Sequence, residues 1–89
     1  HRIGLVQQVA DDAAAALTVA REIAHTIAGR AAPLAVRATL ASAHLARDRG
    51  DAAAIERLRP EVAALFATAD AAEGVQSFIE RRQAQFQGR

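Results

Sequence analysis

Alanine constrains how this chain can fold more than any other residue, because it supplies 25 of the 89 residues. Alanine is the best helix former of the common amino acids. It offers little apolar area to bury, however, and burial stabilises a fold by about 25 cal/mol per Å². Only 21 larger aliphatic or aromatic residues remain. The sequence therefore predicts one small region of ready-formed helices with a thin core, which needs further chain or a partner subunit to pack against.

Proline and glycine divide the first half of the chain into two helices. Acidic residues suited to a helix start predict a first helix from about Asp12 to Ala28, with Gly29 as its left-handed stop. Pro33 suits the first position of a second helix, where its missing N–H costs nothing. That helix is predicted to run to about Arg49 and to end at Gly50.

The second half predicts two further helices. Asp51 is expected to cap the third, and Pro60 to kink or break it near Arg59, since proline removes a helical hydrogen bond. The D-x-x-E pair Asp70 and Glu73 resembles a capping box and predicts the start of the last helix. The apolar residues assigned to that helix are Val75, Phe78, Ile79 and Phe86. Gly88 is expected to mark its frayed end.

The residues before the first helix predict a different local structure. Ile3–Val9 is short and rich in β-branched residues, which favours an extended segment. A single strand cannot satisfy its own backbone groups, so this segment indicates a missing sheet. The predicted fold class is all-α, with about four helices after one short extended segment.

Composition excludes several classes of function. The net charge of +1 is too small to indicate nucleic acid or an anionic membrane as a partner. No apolar run approaches the roughly 20 residues that cross a bilayer. The absence of cysteine removes disulfide and thiol chemistry and fits a cytoplasmic protein.

The histidines and serines do not form a catalytic or metal-binding pattern. His1, His25 and His44 lie on different segments and lack the spacing of zinc ligands, so no metal site is predicted. Ser42 and His44 are two residues apart on a helix and point to different faces, which rules out a direct nucleophile–base pair.

Charged residues of the last helix offer the remaining candidates. Glu73 and Glu80 share a helix face two turns apart, and capping explains acidic residues here better than general acid–base catalysis does. Arg81 and Arg82 suit either phosphate binding or simple compensation of the helix dipole, and the second explanation is the commoner one.

Several motifs, in this order, resemble the C-terminal part of the enoyl-CoA hydratase/isomerase (crotonase) superfamily. The helix order and the positions of Pro33 and Gly50 agree with it as well. The motifs are R-I-G-L-V at 2–6, A-P-L-A-V at 32–36, D-x-x-E-G at 70–74, S-F-I-E-R-R at 77–82 and F-x-G-R at 86–89.

The resemblance implies that residues 1–89 are a single helical C-terminal region of an α/β spiral fold, with the catalytic core expected upstream and absent from this sequence. Such enzymes act on acyl-CoA thioesters, hydratases adding water to the 2,3-double bond, and stabilise the enolate with two backbone N–H donors. The family assembles as trimers or hexamers and needs no cofactor, because coenzyme A is part of the substrate. No catalytic residue is assigned to this chain.

The resemblance carries two substrate-binding residues onto this sequence. Phe78 matches an aromatic near the acyl-CoA site. Arg81 matches a basic position, usually lysine, implicated in contact with the CoA phosphates, and arginine keeps the charge while changing its geometry. Isomerase, dehalogenase, decarboxylase and thioester hydrolase activities stay open beside hydratase. The alternative from another class is a non-catalytic helical module for oligomerisation or interaction.

Overall fold

The computed structural model describes residues 1–89 and contains four helices and no strand. These are α1 (Ala13–Arg30), α2 (Pro33–Arg49), α3 (Asp51–Phe66) and α4 (Ala69–Glu80). The predicted all-α architecture is confirmed. None of the four helices has the length and hydropathy of a membrane-spanning segment.

The segment before α1 is irregular. Ile3–Val9 forms no strand, and a turn closes at Gly4, whose N–H donates to the carbonyl oxygen of His1 at 2.9 Å. The side chains of this segment are exposed. A strand needs a neighbour for its backbone groups, and none of the 89 residues supplies one.

The end of α1 differs from the prediction. Asp12 caps its start by accepting the N–H of Ala15 at 2.7 Å. The predicted stop at Gly29 is wrong, because Gly29 lies inside the helix and lacks a positive φ. The helix ends ahead of Pro33 instead. A proline disfavours helical geometry at the residue before it, and Ala32 accordingly has φ −66° and ψ 118°.

The bounds of α2 are as predicted, and Gly50 separates α2 from α3 with φ 85° and ψ 162°. Asp51 is the first residue of α3 rather than its cap. Of the kink or break predicted near Arg59, the break is wrong, since α3 runs through Pro60 without interruption, and the kink stays a prediction. The carbonyl that loses its donor is that of Glu56, which lies on the exposed side of the helix where water can replace the missing bond.

The four helices pack loosely. α2 and α3 form an antiparallel pair, α4 touches α3, and α1 makes only sparse contact with the others. The radius of gyration is 16.4 Å, whereas a compact chain of this length would have about 12 Å. Ala54 is the only buried apolar residue, which confirms the thin core. Large apolar side chains remain exposed, among them Ile23, Ile55, Phe66, Phe78 and Ile79.

Candidate functional site at the end of α4

The backbone turn that ends α4 is closed by two hydrogen bonds. The N–H of Arg82 donates to the carbonyl oxygen of Ser77 at 3.0 Å, and the N–H of Arg81 donates to that of Phe78 at 3.3 Å. This pair of bonds is the Schellman arrangement, in which the residue after the helix adopts the left-handed conformation.

Arg81 occupies that left-handed position, with φ 54° and ψ 40°. It is the one residue other than glycine with a positive φ in the chain. Glycine is usual at this position, because a side chain there costs about 1–2 kcal/mol. An arginine held in this conformation marks the turn as a candidate for a function that requires its side chain.

Arg82 is held by two carboxylates. Its Nη2 donates to Oε2 of Glu73 at 2.8 Å, its Nη1 donates to the other oxygen of that carboxylate, and its Nε donates to Glu80. The hydrogen bond from Arg82, together with the N–H of Gln85, lowers the pKa of Glu73 to about 2. Hydrogen bonds from Gln76 and Arg82 lower the pKa of Glu80, and the two glutamates raise the pKa of Arg82.

These contacts give Glu73 and Glu80 a partner that the sequence analysis did not identify. A glutamate whose pKa is lowered stays ionised at neutral pH and does not serve as a general acid there. Glu73 and Glu80 therefore bind Arg82 as anions. The structure contains no group of three or more acidic or histidine side chains that could hold a metal ion.

Arg81 differs from its neighbour, because its guanidinium forms no hydrogen bond or ion pair and is exposed to solvent. Phe78, three residues earlier, is 85% exposed. The last turn of α4 thus brings together the two residues that the sequence analysis selected. The turn carries an exposed cation without an ion-pair partner and, three residues earlier, an exposed aromatic ring. Residues of these two types suit an anionic ligand with an apolar portion.

The chain after the turn folds back along α4, a feature that the sequence analysis missed. The carboxylate of Asp70 accepts the backbone N–H groups of Gln87 at 2.7 Å and Gly88 at 2.8 Å. Glu73 accepts the N–H of Gln85 at 2.7 Å. The N–H of Asp70 donates to the carbonyl oxygen of Arg89 at 2.9 Å. Asp70 is only 4% exposed and is one of the three buried residues of the chain.

The D-x-x-E pair therefore does not cap α4, and that prediction is wrong. Thr68 is the cap, and its hydroxyl accepts the N–H of Ala71 at 3.1 Å. Asp70 and Glu73 are one turn apart on the same face of the helix, which directs both carboxylates at the returning chain. The spacing of Asp70 and Glu73 could have indicated that they share a helix face. The neighbouring sequence does not indicate which part of the chain they bind.

Phe86 and Gly88 also lie elsewhere than predicted. Phe86 is outside α4, and its ring approaches Gly74, with 3.7 Å between a ring carbon and the position a Cβ would take. The ring lines a cleft between the start of α2 and α4. Gly88 is not a frayed end, because its N–H is bonded to Asp70 and its φ is 75°. This tail links the α1–α2 corner to α4, and the Gln83 side chain donates to the Gly29 carbonyl oxygen at 3.4 Å.

The overall fold of the chain is similar to part of a protein of known structure. A probable enoyl-CoA hydratase/isomerase from Mycobacterium abscessus, solved by crystallography, aligns with all of this chain at 50% sequence identity and a TM-score of 0.92. Over its whole length the chain is similar in sequence and fold to the C-terminal helical region of an enoyl-CoA hydratase/isomerase. It spans 34% of the length of the M. abscessus protein. No protein-family model matches the chain, and no curated protein matches it.

The assignment confirms the resemblance that the ordered motifs carried, from the 2–6 segment to the 77–82 segment. The assignments of Phe78 and Arg81 to the substrate site stay predictions. So does the extent of any catalytic core outside residues 1–89.

Proposed function

We propose that this region belongs to an enzyme that acts on acyl-CoA thioesters, with addition of water to the 2,3-double bond as its reaction. The proposal is carried by the 50% identity over the full chain to a protein described as a probable enoyl-CoA hydratase/isomerase. The acids and the N–H donors for the thioester oxygen would lie upstream, because no residue of this chain matches them. Fatty acid metabolism in the cytoplasm is the corresponding setting.

Within that enzyme, Arg81 and Phe78 would form one wall of the CoA site. The unpaired guanidinium of Arg81 suits the phosphates of CoA, since arginine binds phosphate through two parallel N–H donors. Phe78 would lie along the apolar part of the ligand. The exposure of both side chains supports this assignment, and no further cofactor is needed.

Assembly into a trimer or hexamer would cover the apolar faces that these helices expose. Val75 and Ile79 are 56% and 67% exposed. They lie four residues apart on α4, so they form one continuous apolar patch. Contiguous apolar surface of this kind marks an interface with another protein or with further chain.

The test is steady-state kinetics of the whole enzyme with crotonyl-CoA. Phe78→Ala and Arg81→Ala are expected to raise KM by about 10-fold each, the effect of losing one charge-assisted hydrogen bond or one apolar contact. The matched control is Arg59→Ala, which removes an exposed arginine from α3 that forms no ion pair. Unchanged KM in both test variants would leave this region with a structural role only.

A non-catalytic helical module for oligomerisation is the second candidate function. The observation that favours it is the scarcity of buried residues, three of 89, beside many exposed large apolar side chains. In that case the whole protein would associate in a concentration-dependent way and would not bind CoA esters. Analytical ultracentrifugation combined with calorimetric titration of a CoA ester distinguishes the two functions.

A further inference from the structure

The two arginines at the end of α4 have different surroundings although they are consecutive. Arg82 is bound on both sides by Glu73 and Glu80. Arg81 has no partner for its guanidinium and is in a backbone conformation that arginine rarely adopts. Because the residues are adjacent, whatever fixes Arg82 also fixes the backbone from which the Arg81 side chain departs.

We propose that Glu73 and Arg82 are a positioning pair that holds Arg81 in its left-handed conformation and so directs its guanidinium to the phosphates of a CoA thioester. The inference rests on the proposed function and assigns a role to two residues that do not touch the ligand themselves. Positioning of this kind lowers the conformational freedom that binding would otherwise remove.

Glu73 contacts the chain at two places, one within the turn and one after it. Glu73 binds Arg82 through two N–H···O contacts, nine residues apart in sequence, and the same carboxylate accepts the N–H of Gln85 beyond the turn. The side chain of Glu73 is 23% exposed and that of Arg82 is 38% exposed, so solvent only partly surrounds the pair. Together with the two backbone hydrogen bonds of the turn, these contacts oppose relaxation of Arg81 to the conformations that a non-glycine residue prefers.

A pair that only stabilises the fold would predict a different result. Loss of stability affects every ligand of the enzyme in the same way. Loss of positioning at Arg81 affects only a ligand with phosphates for Arg81 to bind. An acyl-pantetheine carries the same thioester and lacks the phosphates of CoA, and it therefore separates the two explanations.

The experiment measures the dissociation constants of butyryl-CoA and butyryl-pantetheine by calorimetry with the whole protein. Glu73→Gln and Arg82→Ala are expected to weaken the binding of butyryl-CoA by about 2- to 10-fold, because one flexible side chain must then be ordered on binding. The dissociation constant of butyryl-pantetheine is expected to stay unchanged. Combining Glu73→Gln with Arg81→Ala should weaken butyryl-CoA no more than Arg81→Ala alone, because the pair acts through Arg81. Arg57→Ala, which breaks the exposed pair with Glu61 on α3, is the control and is expected to change neither constant.

The outcomes distinguish the positioning role from the proposed function. Equal weakening of both ligands, or a double variant weaker than Arg81→Ala alone, overturns positioning. A second outcome is that Glu73→Gln and Arg82→Ala bind butyryl-CoA normally while Arg81→Ala binds it weakly. That outcome overturns the positioning role but keeps the contact between Arg81 and CoA. Normal binding by Arg81→Ala overturns the contact itself. Should Arg82→Ala fail to fold, Arg82→Lys keeps the charge but loses the two-point geometry, and it is expected to show the same selective loss in smaller degree.

Discussion

Asp70 binds Gly88 across the length of the tail, with its carboxylate accepting the Gly88 N–H at 2.8 Å. The bond joins the first turn of α4 to residues 18 positions later. A buried carboxylate that accepts two backbone N–H groups makes those final residues an integral part of the fold. The turn that holds Arg81 lies between the two ends of this connection.

Replacement of Asp70 is the first prediction. Asp70→Ala removes the acceptor of the Gln87 and Gly88 N–H groups, and a hydrogen bond to a charged group contributes about 1.5–3 kcal/mol. We expect a clear fall in the melting temperature of the whole protein, with Asp70→Asn intermediate because its amide oxygen still accepts. The control Asp48→Ala removes an exposed pair with Arg47 and should cost below about 1 kcal/mol. Equal effects of the Asp70 and Asp48 changes would contradict the structural role of the tail.

Replacement by alanine is predicted to change the free energy of unfolding in opposite directions at two glycines. Gly29 is inside α1, has no positive φ and has open space around it, so Gly29→Ala should stabilise by about 0.5–1 kcal/mol. Gly50 has φ 85° and ψ 162°, a region essentially reserved for glycine, and Gly50→Ala should cost about 1–3 kcal/mol. Chemical denaturation of the two variants checks the pair, and a shift of the same sign in both would show that the boundaries of α1 and α3 are misplaced.

Acid is predicted to release Glu73 from Arg82. The pKa of Glu73 is lowered from 4.5 to about 2 in the folded chain. A carboxylate with a lowered pKa contributes stability that is present above its unfolded pKa and is lost as the pH falls through its folded pKa. The melting temperature should therefore fall more steeply between pH 4.5 and about 2 in the wild type than in Glu73→Gln. Glu56→Gln, on the exposed side of α3, should retain the wild-type slope, and parallel curves for all three proteins would contradict the pairing.

Replacement of Arg81 by glycine is predicted to separate stability from binding. Glycine adopts the left-handed conformation without strain, so Arg81→Gly should stabilise the end of α4 by about 1 kcal/mol. The same change removes the guanidinium and should weaken the binding of a CoA ester. Thermal melting and calorimetry on one preparation measure both quantities. A variant that is less stable and binds normally would show that Arg81 serves the turn and not the ligand.

The sequence predicted the all-α architecture and the bounds of α2 correctly. Pro33 and Gly50 placed the bounds of α2 correctly, because a missing N–H and a positive φ act on their immediate neighbours. The motifs in order also identified the superfamily. The same local reasoning gave the wrong end for α1, since the influence of Pro33 on Ala32 outweighed the presence of Gly29.

The contacts of the tail could not be predicted in this way. Asp70 and Glu73 have the spacing of a capping box, and only the folded chain shows that their partners are 12 to 18 residues later. The contrast between Arg81 and Arg82 is likewise invisible in sequence, because consecutive arginines carry the same charge. Their roles differ through the carboxylates that the fold brings to one of them.

Calorimetric titration of butyryl-CoA into the whole protein, for the wild type and for Arg81→Ala, tests the central claim most directly. We expect saturable binding by the wild type and binding about 10-fold weaker in Arg81→Ala, the size of one lost charge-assisted hydrogen bond. Absence of binding by the wild type, or equal affinities in the two proteins, would contradict the assignment of this region to the wall of a CoA site.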